Sequence, residues 1–337
     1  MYNEIQKQKF IDSLSSESVQ RYMRWMFTSL EEIEERLQKD ISLFELEDLQ
    51  KALNSISGVR RKNTESMVYN LERYMKWCDE QGIPRSLAIE SAEVDTTSKI
   101  RSRMVDSPKS LARSLKEVFD DPRMRTIDSV YRTYLWLAYA GFTTEEAAKI
   151  TESNIDFNKM KITVKGRYDG VQPIYEEAFY DFYYACGLEF FIEIKYSSAN
   201  NEMQEHSRER AQGKSILRGK ATKKSLSEYL ETTVAQMIAR RFQEANRAHQ
   251  DDVPPCNLSL ELSYDRVWLS GVFYRMYQKE KKHEKIDFFP VAAKIFDEHE
   301  ARGRYRSPAL PRASKISKIQ KEYMKDYQAW KKAFFLD

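Results

Sequence analysis

Tyr134-Leu-Trp-Leu-Ala-Tyr-Ala-Gly-Phe-Thr-Thr-Glu-Glu-Ala-Ala-Lys-Ile150, followed by Ile155-Asp-Phe157 and Lys161-Ile-Thr-Val-Lys-Gly-Arg167, reads as one unit. An apolar helix runs to Gly141. Thr143 and Glu146 then stand at the spacing of a capping box, in which each side chain satisfies a backbone N–H at the start of the next helix. From Lys161 the alternation of Ile162 and Val164 predicts a strand, and Gly166-Arg-Tyr-Asp-Gly170 predicts a turn into a second strand over Val171 to Ile174.

Working outward, 337 residues suggest two domains, and 41% hydrophobic content gives each a core. Ten glycines, nine prolines and 32% charged residues point to a mostly helical protein with little sheet. No run of about 18 apolar residues exists, and Met1-Tyr-Asn-Glu-Ile-Gln-Lys7 lacks a basic-then-apolar leader. A soluble, cytoplasmic protein is expected. Cys78, Cys186 and Cys256 are too few and too scattered for a disulfide framework or a zinc site, and the histidines are not clustered. No cofactor and no metal is expected. The net charge of +3 averages an uneven distribution. Residues 1–90 carry 13 Lys/Arg against 16 Asp/Glu, residues 206–249 ten against four, and residues 301–334 ten against two. The cationic surface belongs to the second half of the chain.

Apolar residues recur at helical spacing in Val19, Tyr22, Met23, Met26 and Leu30, and again in Val68, Leu71, Tyr74, Met75 and Trp77, as in a small helical bundle. The second helix ends at Gly82-Ile-Pro84, where glycine takes a left-handed turn and proline cannot continue a helix. Residues 1–90 are read as an N-terminal helical domain, the polar stretch 91–110 as a linker, and residues 111–337 as a larger second domain. Helical patterns in that domain fall near 111–119, 125–140, 175–195, 225–248, 263–281, 289–301 and 314–335.

The order of helix, capped helix and cation-bearing hairpin over residues 134–167 resembles the start of the catalytic domain of tyrosine recombinases, the phage integrases. Arg60-Arg-Lys-Asn-Thr64, followed by Met67, Tyr69, Leu71, Tyr74 and Trp77, is similar to the core-binding domain of that family, a SAM-like four-helix module that closes over one face of duplex DNA. The resemblance covers residues 5 to 195 and loosens beyond. It implies a mostly α fold with a small β-hairpin or sheet, in two domains, with double-stranded DNA as partner. Self-association or contact with other recombination proteins is also implied.

The chain departs from the family where the chemistry is done. Recombinases attack a backbone phosphate with a tyrosine, and two arginines, a hairpin lysine and further donors hold the charge that builds on its oxygens. Where the family places the first arginine, this chain has Thr143. Losing one preorganised donor costs about 3–4 kcal/mol in well-studied sites. The helix Leu262 to Tyr277 stands in place of the His-x-x-Arg helix, but its arginines are Arg266 and Arg275, without the histidine. His299-Glu-Ala-Arg302 has the spacing but lies late, and Lys165 and Arg167 match the hairpin cation. Tyr305, Tyr323 and Tyr327 are the late tyrosines that an active enzyme would use. Tyr323, Tyr327 and Trp330 also sit at helical spacing with Phe334, as residues packing a helix do.

Candidate phosphate contacts are Arg60, Arg61 and Lys62, the hairpin cations Lys165 and Arg167, and the basic loop Lys214, Arg218, Lys220, Lys223 and Lys224. Arg302, Arg304, Arg306, Arg312, Lys315 and Lys318 complete the set. Gly213-Lys214-Ser215 is not a phosphate loop, since Arg208 stands where that motif requires glycine. Three readings remain from sequence: a DNA-binding, catalytically inactive recombinase relative acting as a regulator or architectural factor of a phage or mobile element; an active, divergent recombinase; and a helical protein-interaction scaffold.

Overall fold

The computed structural model describes residues 1–56, 60–92, 96–120, 125–164, 171–197, 202–209, 215–217, 225–248, 259, 261–301 and 311–335. The chain forms two compact units, Met1–Ile100 with Ala309–Asp337, and Arg101–Pro308. The expected division differs at its end: the last helix was read as part of the second domain but falls in the first unit.

In the first unit, α1 (Glu4–Ser13), α2 (Glu17–Leu37), α3 (Leu46–Ile56) and α4 (Arg61–Glu80) surround one core. Met23, Met26, Phe27 and Leu30 of α2 fall on one face and are fully buried, as their three- and four-residue spacing dictates. Leu71, Tyr74 and Met75 of α4 face them, while Val19, Tyr22, Val68 and Trp77 pack at the margin. The Tyr74 ring lies 5.1 Å from Phe10 and 4.9 Å from Phe27. Gly82, at φ 65°, closes α4 as expected. Thr64 lies inside the helix and is buried, since α4 begins at Arg61. One polar cluster is sealed in this core. The ammonium of Lys7 sits 2.5 Å from Glu34 and 3.5 Å from Asp40, and Lys7 and Glu34 are both fully buried.

Helix α5 (Thr97–Arg103) runs across the division of the chain at residue 100, and α6 (Pro108–Val118), whose N-cap is Ser107, lies in the second unit. The stretch 91–110 is therefore not a bare linker. Ile100, Met104 and Val105 are buried, but three apolar residues in a polar stretch make a stripe too short to stand out in sequence. Next come α7 (Arg125–Tyr139) and α8 (Thr144–Ala147). The strands β1 (Ile155–Asp156), β2 (Lys161–Thr163) and β3 (Val171–Pro173) form an antiparallel sheet in that order, with Ile162 opposite Ile155 and Gln172.

After α9 (Phe179–Gly187), the expected helix to 195 is replaced by β4 (Phe190–Ser197), paired antiparallel with β5 (Glu202–Glu209). Phe190, Phe191, Ile192, Ile194 and Tyr196 are aromatic or β-branched, and such residues favour the pleated surface once α9 has ended at Gly187. A helical run follows as α10 (Leu226–Tyr229), a π segment over Leu230–Val234, and α11 (Ala235–Ala248). Then come α12 (Tyr264–Lys281) and α13 (Phe289–Ala301). The last helix, α14 (Arg312–Phe335), returns to the first unit.

Helix α7 is the axis of the second unit. Tyr134 through Ala140 are at most 1% exposed, so the C-terminal half of this helix is apolar on every face because it is enclosed on every face. Helix α12 crosses it at Gly271, where a Cβ would lie 1.9 Å from the Tyr139 carbonyl oxygen. Only glycine permits that approach.

Candidate nucleic-acid interface

The corner between α7 and α8 is closed by a capping box. Thr143 is the N-cap of α8: its Oγ1 accepts from the Glu146 N–H at 3.4 Å, and Glu146 Oε2 accepts from the Thr143 N–H at 2.8 Å. The side chain of Thr143 is thereby committed to backbone. Lys294, from α13, donates to Glu146 Oε2 at 2.7 Å and approaches the Gly141 carbonyl oxygen at 3.5 Å. The corner's carboxylate and its cation thus face each other. Beneath them the Tyr134 and Tyr264 rings stack at 4.2 Å; the Tyr264 hydroxyl donates to the Phe142 carbonyl, and the Tyr134 hydroxyl lies 3.0 Å from Thr144 Oγ1. Burial raises both phenols well above their ordinary value, so they remain neutral hydrogen-bonding groups.

The arginines of α12 serve the fold. Arg275 donates to the Tyr139 carbonyl oxygen at 2.6 Å, satisfying an acceptor at the end of α7, where helical carbonyls lack partners. Arg266 donates to the Glu261 carbonyl oxygen at 2.5 Å, and burial, with Arg103 nearby, lowers its pKa. The backbone of His299 lies in α13; its side chain, together with Arg302 and Tyr305, is outside the described residues. Tyr323 is 4% exposed and Tyr327 is fully buried, both on the inner face of α14.

The start of α4 is where sequence reading placed three phosphate contacts. Arg60 Nε instead lies 2.8 Å from Asp326 Oδ2, with its guanidinium 4.8 Å from the centre of the Tyr323 ring. Lys62 Nζ lies 2.9 Å from Glu322 Oε1. Arg61 opens α4, and its side chain is outside the described residues. Among the remaining candidates, Arg312, Lys315 and Lys318 occupy the first turns of α14, with Arg312 and Lys318 exposed and Lys315 half-buried. Lys165 and Arg167 lie outside the described residues, although the strands they join pair in register, Thr163 opposite Val171. Lys214, Arg218, Lys220, Lys223, Lys224, Arg304 and Arg306 also lie outside.

Three residues went unnoticed in the sequence: Lys294, Glu322 and Asp326. Each gains its place from a partner more than 140 residues away in sequence, a match that helical patterning alone does not select. Among the described residues, no group of His, Cys, Asp and Glu is disposed to hold a metal ion, and no helix is long and apolar enough to cross a membrane.

Helices α1 to α4 of the first unit lie within residues 1–80, which match a family model of a core-binding domain. The matching family model is described as MrpR, N-terminal core-binding domain. The chain is also similar to a solved structure, the crystal structure of XerA recombinase, at 12% identity over 82% of this chain and 84% of that one, with a TM-score of 0.33. At that score no residue role is carried across. No curated protein matches the chain.

Proposed function

We propose that this chain is a DNA-binding protein of the tyrosine-recombinase type that performs no strand transfer and acts as a regulator or architectural factor of a phage or mobile element. The observation that carries the reading is the α7–α8 corner. A recombinase needs a guanidinium there, free to take two phosphate oxygens. Here a capped threonine stands, with the neighbouring charge already paired between Lys294 and Glu146. The core-binding match over residues 1–80 and the +8 balance of residues 301–334 support duplex DNA as the partner. Phosphate contacts are assigned to the cationic segments named above, which position a protein on the duplex without reading its sequence.

The test joins a gel-shift titration on random duplex DNA to a denaturing gel that traps covalent adducts on nicked duplexes. The expected result is salt-sensitive binding with no adduct. An adduct that disappears in Tyr305→Phe, Tyr323→Phe or Tyr327→Phe would establish an active enzyme instead. Failure to bind duplex at low salt would move the protein to the scaffold class.

A further inference from the structure

Helix α14 carries seven Lys/Arg and only two acids, Glu322 and Asp326. Both acids are spent on the start of α4: Asp326 on Arg60 and Glu322 on Lys62. Their spacing of four residues puts them on one face of α14, one turn apart, with Tyr323 between them beneath the Arg60 guanidinium. Two carboxylates one helical turn apart, each on a cation, occupy Arg60 and Lys62 as successive phosphates of a DNA strand would. We propose that α14 is a built-in competitor of DNA: its docking on α4 and phosphate binding by Arg60 and Lys62 exclude one another. This rests on the DNA-binding reading above and adds its regulation.

The two contacts differ in strength, and the difference sets how the device opens. Lys62 is 58% exposed, so its pair is solvent-screened and weak. A phosphate can take Lys62 with little opposition. Asp326 is 3% exposed in its side chain, and withdrawing the Arg60 guanidinium alone from a buried carboxylate is strongly unfavourable. Arg60 is therefore released only when α14 lifts as a body and Asp326 reaches water. DNA first gains Lys62, then displaces the helix. A surface pair resists locally, whereas a buried pair couples the cation to the whole element.

The experiment measures duplex affinity by fluorescence anisotropy for the full chain and for Glu322→Gln, Asp326→Asn and Glu35→Gln, the last a charge-matched control at an exposed site on α2. Hydrogen exchange of α14 amides is followed in the free and DNA-bound wild type. Glu322→Gln should tighten binding about two- to fivefold beyond the control, the fold-change to which an exposed pair of up to ~1 kcal/mol converts. Asp326→Asn should tighten it further, and α14 amides should exchange faster with DNA bound. Should Asp326→Asn fail to fold, the wild-type exchange result still decides. Wild-type DNA binding with both variants matching the control and α14 exchange unchanged or slowed would overturn this inference while leaving the DNA reading intact. Absence of duplex binding in every protein would overturn both.

Discussion

The buried cluster of Lys7, Glu34 and Asp40 shows what a single side chain can decide. Glu34 lies against the Lys7 ammonium and also accepts the Ile41 N–H at 2.8 Å. Burial nevertheless dominates and lifts its carboxyl to about 7. Between the unfolded value and about 7, the folded state keeps a proton that the unfolded chain releases. The contribution of Glu34 to stability thus falls as pH rises through this window and is most favourable at its acid end. Denaturant midpoints of the wild type and Glu34→Gln, compared from pH 5 to pH 8, should show the wild type gaining on the variant toward pH 5; a gain toward pH 8 would refute the assignment. Removing one partner of the pair is a different matter. Glu34→Ala leaves Lys7 buried and poorly paired and should cost about 3–5 kcal/mol, whereas Lys7→Met with Glu34→Gln removes both charges, keeps an acceptor for Ile41 and should recover most of that loss in urea unfolding. Thr143 makes the matching case at the surface of the second unit: Thr143→Ala should cost about 1 kcal/mol through loss of the cap, with duplex affinity unchanged.

At the scale of elements, the crossing of α7 and α12 is the tightest joint in the second unit. Gly271→Ala gains a little helix propensity, about 1 kcal/mol, but drives a methyl into the Tyr139 carbonyl. Steric overlap wins, because neither backbone can yield without disturbing buried neighbours. The expected result is a net loss of about 1–3 kcal/mol or more in denaturant unfolding, and a variant as stable as the wild type would show that the helices do not cross as described. Elements also mark where sequence reading succeeded and where it stopped. The capping box at Thr143 and Glu146, the hairpin at Ile162 and the end of α4 at Gly82 were legible because neighbours in sequence complete each pattern. Strand β4 was missed because Phe190 to Tyr196 follows an aromatic helix, and periodicity does not separate a short apolar strand from the continuation of a helix. Helix α5 was missed because its apolar face is only a few residues wide.

At the scale of the whole molecule, charge asymmetry makes the prediction. The acidic balance of residues 1–90 and the basic balance of residues 206–249 and 301–334 place the expected phosphate contacts mainly in the later chain. With about 6–10 such contacts, raising salt from about 50 to 200 mM should weaken duplex binding by roughly 10³–10⁵. Lys318→Gln, at an exposed site on α14, should lower the salt slope by about one without altering stability. A flat salt dependence in the titration would remove the electrostatic account.

The sequence by itself determined the class of fold, the helices of the first bundle, the capped corner at Thr143 and Glu146, and the uneven charge. All of these depend on residue type and on spacing within a few turns. Only the tertiary structure decided that Lys294 meets Glu146, that Arg275 closes the end of α7, that Tyr323 and Tyr327 lie buried, and that Arg60 and Lys62 are held by Asp326 and Glu322. The physical reason is distance along the chain: Arg60 and Asp326 are 266 residues apart. A cation reads as a solvated DNA contact until folding brings a carboxylate beside it.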